Sequence, residues 1–162
     1  MLSRPRRAAP GWILTSLFCR RSVEPMSTRP LPVPSSWSAP FWKATADHKL
    51  TVQKCVHSGE LLMYPRLVSP FSLTDELEWI ECSGRGEVYT YTIQEAGAPS
   101  GFEDALPYVI AVVKLEEGPQ LMTNIVGPDR LDVRCGSTVQ VTFEGTESSD
   151  IVLPMFELVT AS

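Results

Sequence analysis

The second half of the chain contains a series of short β-strand patterns separated by glycines. From Glu76 onward, runs rich in β-branched, aromatic and aliphatic residues recur: ELEWIEC, EVYTYTIQ, PYVIAVVKLEEG, PQLMTNIVG, STVQVTFEG and IVLPMFELV. Five or six strands of ordinary length with glycine at the corners are typical of a small closed barrel, because glycine permits the coiling that closes a sheet. The pattern predicts a five-stranded OB-type barrel, although a small sandwich fits the count as well.

A short helix and a hairpin are predicted before the barrel. Ser38 can cap a helix with Pro40 in its first turn. The alternating segment KLTVQKC then predicts a strand, with GELLMYP as its hairpin partner. We therefore expect a mainly β chain in three parts: a basic, then proline-rich disordered arm (1–37), a helix with a hairpin module (38–75) and the barrel (76–160).

Charge is distributed unevenly along the chain. Residues 1–25 hold five arginines and one acidic residue, which leaves nine basic and eighteen acidic residues in 26–162, a net charge of −9. The basic residues of this second part are spread singly, whereas a nucleic-acid-binding surface needs clustered positive charge. This distribution disfavours nucleic acid as a partner.

The location of the protein is predicted from its apolar segments and cysteines. No stretch approaches the roughly 18 apolar residues that span a bilayer, and the four cysteines are scattered, so we expect a cytoplasmic protein with no membrane partner. The run GWILTSLFC lies behind basic residues, as in a signal peptide, but Arg20 and Arg21 follow it directly. We favour Met26 as the true start, with an organelle address second and secretion third.

The segment CVHSGELLMYPRLVSPFS, residues 55–72, has the outline of a zinc ribbon in which serines stand where cysteines would bind the metal. Cys55 and Ser58 lie at C-x-x-C spacing, and Ser69 and Ser72 repeat that spacing. Zinc selects thiolate and imidazole, and a serine hydroxyl is too weakly acidic to be a comparable ligand. We therefore predict that zinc has been lost. We expect hydrophobic packing, on the barrel or on a partner, to replace it through the apolar side chains of Leu61, Leu62, Met63, Tyr64, Leu67, Val68 and Phe71.

Short motifs in a fixed order carry a family resemblance. They are PFW, QKC and YPR around the ribbon, followed by SGRGEVYTYT, PYVIAVVKLEEGP, TNIVG, VTFE and LPMFEL in the barrel. With these motifs, the chain from about Phe41 to Phe156 resembles the family of small acyl-CoA-associated proteins in which a rubredoxin-like zinc ribbon precedes an OB-fold domain. The resemblance implies that the four zinc-ligand positions correspond to Cys55, Ser58, Ser69 and Ser72.

The same resemblance implies a function. Proteins of this family are accessory, non-catalytic subunits that associate with thiolases, ketoacyl-CoA lyases or hot-dog-fold hydratases in lipid, steroid or polyketide-type acyl-CoA metabolism. They support assembly and help to hold or transfer the acyl-CoA. For this chain we accordingly expect no cofactor except acyl-CoA as a ligand.

The sequence shows no catalytic constellation, and its candidate sites are binding sites. Ser83 in CSGRG lacks the G-x-S-x-G pattern of a nucleophile elbow. The long loop QEAGAPSGFEDALP carries Phe102, which either anchors a partner or acyl chain or packs into the barrel end. Arg85, between two glycines, either contacts a phosphate or marks a barrel corner. The candidate contacts to a partner or to acyl-CoA are Phe41, Trp42, Tyr64, Arg66, Phe71, Arg85 and Phe102.

Two other functions fit the sequence less well. A single-stranded nucleic-acid-binding module could stack bases on Trp79, Tyr89 and Tyr91, of which the two tyrosines are predicted to share one sheet face. The negative charge of residues 26–162 opposes it. A free-standing enzyme would need an acid–base pair, which the sequence does not show.

Overall fold

The computed structural model describes residues 29–146 and 151–159. The predictions for the leader, including Met26 as the start, lie outside the described residues. Within them, no helix has the length and apolar character that a membrane span requires. The regular elements are α1 (Ala39–Ala46), β1 (Thr51–Cys55), β2 (Leu61–Leu62), β3 (Leu77–Glu81), β4 (Arg85–Gln94), β5 (Tyr108–Leu115), β6 (Gln120–Val126), β7 (Thr138–Gly145) and β8 (Val152–Leu158), with single 3-10 turns at Glu103–Ala105 and Arg130–Asp132.

The predicted helix is present and begins where its sequence signals place it. Ser38 occupies the N-cap position and the proline lies in the first turn. The hydroxyl of Ser38 accepts the backbone N–H of Ser35 at 2.9 Å, so it fixes the chain leading into the helix. Phe41 and Thr45 are the buried residues of the helix, and Phe41 belongs to the main hydrophobic core.

A three-stranded sheet, which we call the ribbon sheet, has the order β2-β1-β3. β1 pairs with β2 as the predicted hairpin. The prediction was wrong for β3, which we had placed in the barrel region (76–160). β3 pairs along its whole length with β1, from Thr51 opposite Glu81 to Cys55 opposite Leu77. Its alternating pattern is the same in either sheet, so periodicity could not assign the partner.

The last five strands close into a barrel with the order β4-β5-β6-β8-β7. This architecture confirms the predicted mainly β fold and is consistent with an OB-fold. All pairs are antiparallel except β6 with β8, which run parallel and pair only at Ile125–Phe156 and Val126–Glu157. The first half of β6 therefore presents backbone groups that β8 does not pair. The barrel interior holds fully or almost fully buried side chains: Val88, Val109, Ala111, Val113, Leu115, Leu121, Ile125, Val139 and Phe156.

A β-bulge in β4 overturns the prediction that Tyr89 and Tyr91 share a face. The register between β4 and β5 shifts between Val88 and Thr90, so Tyr89 has no partner in β5. An extra residue reverses the alternation beyond it. As a result Tyr89 is 63% exposed, whereas Tyr91 packs against the core. With Trp79 in the ribbon sheet, these three aromatic residues do not line one strand face of the barrel.

The glycines that flank Arg85 serve the close packing of the barrel corner. Gly84 has a φ of +74°, and a Cβ there would overlap the side chain of Val141. A Cβ on Gly86 would lie 2.6 Å from a methyl carbon of Val113. Only glycine fits both positions, so this corner needs its glycines for structural reasons.

Candidate functional site

The two turns of the ribbon share one backbone hydrogen-bond pattern. In the first turn, the N–H of Cys55 donates to the carbonyl of Glu60 at 2.9 Å, and the N–H of Gly59 donates to the carbonyl of Cys55 at 2.8 Å. The second turn repeats both bonds at the same residue spacing, from Ser69 N–H to Thr74 O at 2.8 Å and from Leu73 N–H to Ser69 O at 2.9 Å. The chain therefore retains two equivalent turns of the kind that a zinc ribbon uses for ligand pairs.

The equivalence extends to backbone conformation. Gly59 has a φ of +75° and Leu73, at the matching position of the second turn, has a φ of +58°. Glycine adopts this left-handed conformation freely, whereas an L-residue such as leucine is strained in it. The Leu73 side chain is 79% exposed, so burial does not offset this strain.

The four predicted ligand positions come together between the turns. The sulfur of Cys55, which is fully buried, lies 3.1 Å from the hydroxyl oxygen of Ser72. Hydrogen bonds from the side chain of Ser58, then from those of Ser69 and Ser72, lower the pKa of the Cys55 thiol to about 6, while burial acts in the opposite direction. We call Cys55, Ser58, Ser69 and Ser72 the thiol–hydroxyl cluster.

The hydroxyls of the cluster also bind backbone groups of their own turns. The Ser69 hydroxyl accepts the N–H groups of Phe71 at 3.2 Å and of Ser72 at 3.4 Å. The Ser58 hydroxyl accepts the N–H of Glu60 at 3.3 Å. Each turn is thus closed by a serine oxygen that accepts from the backbone, in addition to the carbonyl bonds.

These residues do not fit a structural zinc ion. A closed tetrahedral site needs four thiolate or imidazole ligands, and the cluster offers one thiol and three hydroxyls. His57, the nearest imidazole in sequence, lies 3.3 Å from a carboxylate oxygen of Glu76. Across 29–146 and 151–159, no three His, Cys, Asp or Glu side chains are grouped so that they could hold a metal.

The apolar side chains of the ribbon divide into two groups. Leu62 is buried, and Leu61 and Met63 pack against the main core, as we expected for packing on the barrel. The remainder stay exposed to between 45% and 79%: Tyr64, Leu67, Val68, Phe71 and Leu73. We call this second group the exposed ribbon residues. Among the candidate contacts, Tyr64 and Phe71 therefore belong to an accessible apolar surface.

Tyr64 also attaches the ribbon to the barrel. Its hydroxyl accepts the backbone N–H of Met122 at 2.8 Å. Met122 lies in the part of β6 that β8 does not pair, so the tyrosine supplies a partner that the barrel lacks. The side-chain amide of buried Gln53 holds the next segment by bonding the backbone N–H of Arg66 at 2.7 Å and its carbonyl at 3.0 Å. Arg66 itself is exposed.

The connection from β3 to β4 is fastened by acidic side chains of the β5–β6 turn. A carboxylate oxygen of Glu117 accepts the N–H of Ser83 at 2.6 Å. Burial acts to raise the pKa of Glu117, but hydrogen bonds from Ser83, from its own N–H and from the Cys82 thiol lower it below the ordinary value. Burial, followed by the charge of Glu117, raises the pKa of Cys82 to about 12. Arg85 follows in an exposed position.

The long loop before β5 forms one side of a cavity of about 820 Å³. Phe102 lines it, half-buried, with its ring 6.2 Å from that of Tyr108. The guanidinium of Arg29, in the arm, lies 5.1 Å from the centre of the Phe102 ring and donates to the carbonyl of Gly101 at 3.1 Å. Arg130 lines the same cavity. Phe102 is therefore neither a fully exposed anchor nor a side chain packed into the barrel end, because Arg29 of the arm partly covers its ring.

Of the seven candidate contacts, Phe41 lies in the packed interior and Trp42 packs against the core while partly buried. Phe41 is 5% exposed and Trp42 meets it edge-on, with ring centres 5.2 Å apart. Sequence reasoning also missed residues. Thr74 extends the thiol–hydroxyl cluster through a 2.8 Å bond to Ser72, and a single hydroxyl carries no sequence signal that could have indicated it. Arg29 had no sequence signal, because its partners are distant in the chain.

Comparison with known proteins gives consistent results. The model of the ChsH2 C-terminal OB-fold domain family matches residues 79–144. The chain is 29% identical over 136 residues to the probable enoyl-CoA hydratase alpha subunit of Thermomonospora curvata. The matched residues cover 82% of this chain and 41% of that protein. It is 32% identical over 102 residues to a DUF35 domain-containing scaffold protein of Pyrococcus furiosus, covering 62% of this chain and 74% of that protein.

A solved structure shows the same fold. The structure described as the Ltp2-ChsH2(DUF35) aldolase superposes with a TM-score of 0.70 at 28% identity, over 78% of this chain and 98% of that chain. The chain spans less than half of the hydratase alpha subunit but most of the scaffold protein. These matches confirm the family resemblance seen in the sequence, and the chain belongs to the DUF35 family, with a barrel of the ChsH2 C-terminal OB-fold type.

Proposed function

We propose that the protein is a non-catalytic accessory subunit that associates with an acyl-CoA enzyme of the hydratase, thiolase or ketoacyl-CoA lyase type. The observation that carries this proposal is the similarity, over ribbon and barrel together, to scaffold proteins and to a hydratase alpha subunit. The name of the aldolase structure, which joins a DUF35 chain to an enzyme, also supports an enzyme partner. The three cysteines of the described residues, Cys55, Cys82 and Cys135, are free thiols, which supports a cytoplasmic location.

The exposed ribbon residues are the proposed docking surface. Five large apolar side chains, each 45% or more exposed, lie within ten positions of the ribbon. Exposed apolar patches of this kind commonly mark protein–protein interaction sites, whose centres are apolar and aromatic. Tyr64 and Phe71 supply the aromatic anchors, and Arg66 between them supplies a cation at the edge.

The cavity beside Phe102 is the proposed contact for acyl-CoA. Its volume is within the range of ligand sites, and the aromatic rings of Phe102 and Tyr108 suit an acyl chain. Its arginines are already engaged by carbonyls, Arg29 by Gly101 and Arg130 by Pro107 at 3.3 Å. The chain beyond residue 25 is also acidic. The partner enzyme therefore supplies the positive charge that coenzyme A phosphates need.

Affinity purification tests the proposal directly. The tagged full chain is expressed in its source cells and recovered with its partners, which are identified by mass spectrometry. We expect a hydratase, thiolase or ketoacyl-CoA lyase in stoichiometric amount. The double variant Leu67→Glu/Phe71→Glu should lose at least ten-fold of this recovery, because two charges would enter an apolar contact. Leu131→Glu, at an apolar residue that is 41% exposed beside the barrel, is the matched control and should retain it.

Two outcomes would contradict the proposal. Turnover of an acyl-CoA by the isolated chain would exclude a non-catalytic role. Salt-sensitive binding of a single-stranded oligonucleotide, with no acyl-CoA enzyme recovered, would favour the nucleic-acid function instead.

A further inference from the structure

The thiol–hydroxyl cluster leads to an inference that is independent of the proposed function. We infer that the hydrogen bonds among Cys55, Ser58, Ser69 and Ser72 replace a metal ion as the connection between the two turns of the ribbon. The first argument is topological. The carbonyl bonds described above close each turn within itself, so they do not join one turn to the other. The bond between the Cys55 sulfur and the Ser72 hydroxyl spans 17 residues and joins them.

The second argument is a count of donors and acceptors. A hydroxyl offers one donor and two acceptor sites. The oxygen of Ser69 accepts two backbone N–H groups and that of Ser58 accepts one. The O–H of each remains free to donate, and the lowered pKa of the Cys55 thiol is consistent with donation to its sulfur. The Ser72 hydroxyl bonds both the Cys55 sulfur at 3.1 Å and the Thr74 hydroxyl at 2.8 Å. In this arrangement every hydroxyl of the cluster has a partner, and the Cys55 sulfur is the group that the two turns share.

The third argument is that apolar packing does not supply the connection. The apolar residues of the second turn point away from the interior: Leu67 is 60% exposed, Val68 45% and Phe71 55%. The buried residues of the two turns are instead polar or weakly polar, because Ser69 and Cys55 are both fully buried. Of the apolar side chains expected to replace zinc by packing, Leu61, Leu62 and Met63 are buried or pack on the core, whereas those near the second turn are exposed.

Substitution at Cys55 separates hydrogen bonding from metal binding. Serine keeps a hydrogen-bonding group of similar size, whereas alanine removes it. If hydrogen bonds hold the cluster, the unfolding midpoint of Cys55→Ser lies clearly above that of Cys55→Ala. Ser72→Ala should lower the midpoint by roughly 2–8 °C, since it leaves a buried group unsatisfied. Ser36→Ala, at an exposed serine of the arm, is the control and should not change the midpoint. Equal losses for Cys55→Ser and Cys55→Ala would overturn the inference.

A second measurement needs no variant and does not depend on whether the variants fold. The full chain is purified without added metal, analysed for bound transition metals and melted with and without a strong chelator. We expect much less than one bound metal per chain and the same unfolding midpoint with and without the chelator. One bound zinc per chain, or a midpoint that falls on chelation, would overturn it.

Discussion

Restoring three cysteines should convert the ribbon into a zinc site. The variant Ser58→Cys/Ser69→Cys/Ser72→Cys places four thiols at positions that the fold already brings together. In a tetrahedral tetrathiolate site with Zn–S bonds of about 2.3 Å, neighbouring sulfurs lie about 3.8 Å apart. The Cys55 sulfur is 3.1 Å from the Ser72 oxygen, so the side chains at this edge of the site are already within about 0.7 Å of the required separation.

The size of the effect follows from binding linkage. Zinc at a free concentration about 1,000 times its Kd stabilises the folded state by about 4 kcal/mol, because the unfolded chain does not hold the ligands together. For a protein of this length, about 4 kcal/mol corresponds to a rise of roughly 8–16 °C in the unfolding midpoint. The wild-type midpoint should not respond to zinc.

The assay combines thermal unfolding with cobalt spectroscopy. The triple variant should bind one zinc per chain, and cobalt in its place should give the visible absorption of a tetrahedral thiolate site. The single variant Ser72→Cys, with two thiols, is the control and should bind far more weakly. A triple variant that folds but takes up no zinc would refute the reasoning, because the two turns would then not have the geometry of a ribbon metal site.

Three further predictions concern stability. Leu73→Gly should raise the free energy of unfolding by about 0.5–1 kcal/mol, because it relieves left-handed strain at an exposed side chain. Gly59→Ala should lower the free energy of unfolding by about 1 kcal/mol through backbone conformation alone, since a Cβ there meets no atom within 4 Å. Denaturant titration measures both changes, and two changes of the same sign would contradict the prediction. Tyr64→Phe should cost about 1 kcal/mol by removing the bond to the open part of β6, while Tyr89→Phe at the exposed bulge should cost nothing measurable. Burial and a neighbouring carboxylate raise the pKa of Cys82 to about 12 from its ordinary 9.0. The unfolded chain therefore loses this proton at lower pH than the folded chain, and the free energy of unfolding should fall as pH rises from about 9 to about 12. Cys82→Ala should reduce that fall when unfolding is measured across this pH range, and an unchanged slope would show that the thiol is not shielded.

Local patterns in the sequence predicted most of the fold. The helix after Ser38, the hairpin at Leu61–Leu62 and five barrel strands follow from capping residues, alternation and glycine corners, all of which act over a few residues. The partner of β3 could not be predicted, since its side-chain period is the same in either sheet. The bulge at Tyr89 could not be predicted either, because one extra residue reverses the sheet face on which later side chains lie without changing the composition.

The candidate site was predicted only where its residues repeat in the sequence. The spacing of Cys55 with Ser58 and of Ser69 with Ser72 indicated the cluster before its geometry was known. Thr74 was missed because a single hydroxyl carries no pattern of its own. The contact of Arg29 with Phe102 spans 73 residues along the chain, and only the closed fold brings such residues together.

The ribbon and the barrel are held at several separate points. Besides the Tyr64–Met122 bond and the Glu117–Ser83 bond, the ring of His48 stacks on that of Phe143, with centres 5.3 Å apart. Because the contacts lie at three separate places, the ribbon sheet cannot rotate on the barrel about one contact without breaking the others. Under the proposed function, a partner bound to the exposed ribbon residues would therefore meet the Phe102 loop at a fixed distance and angle. In that role the fold would contribute a fixed separation between two contact surfaces of an assembly.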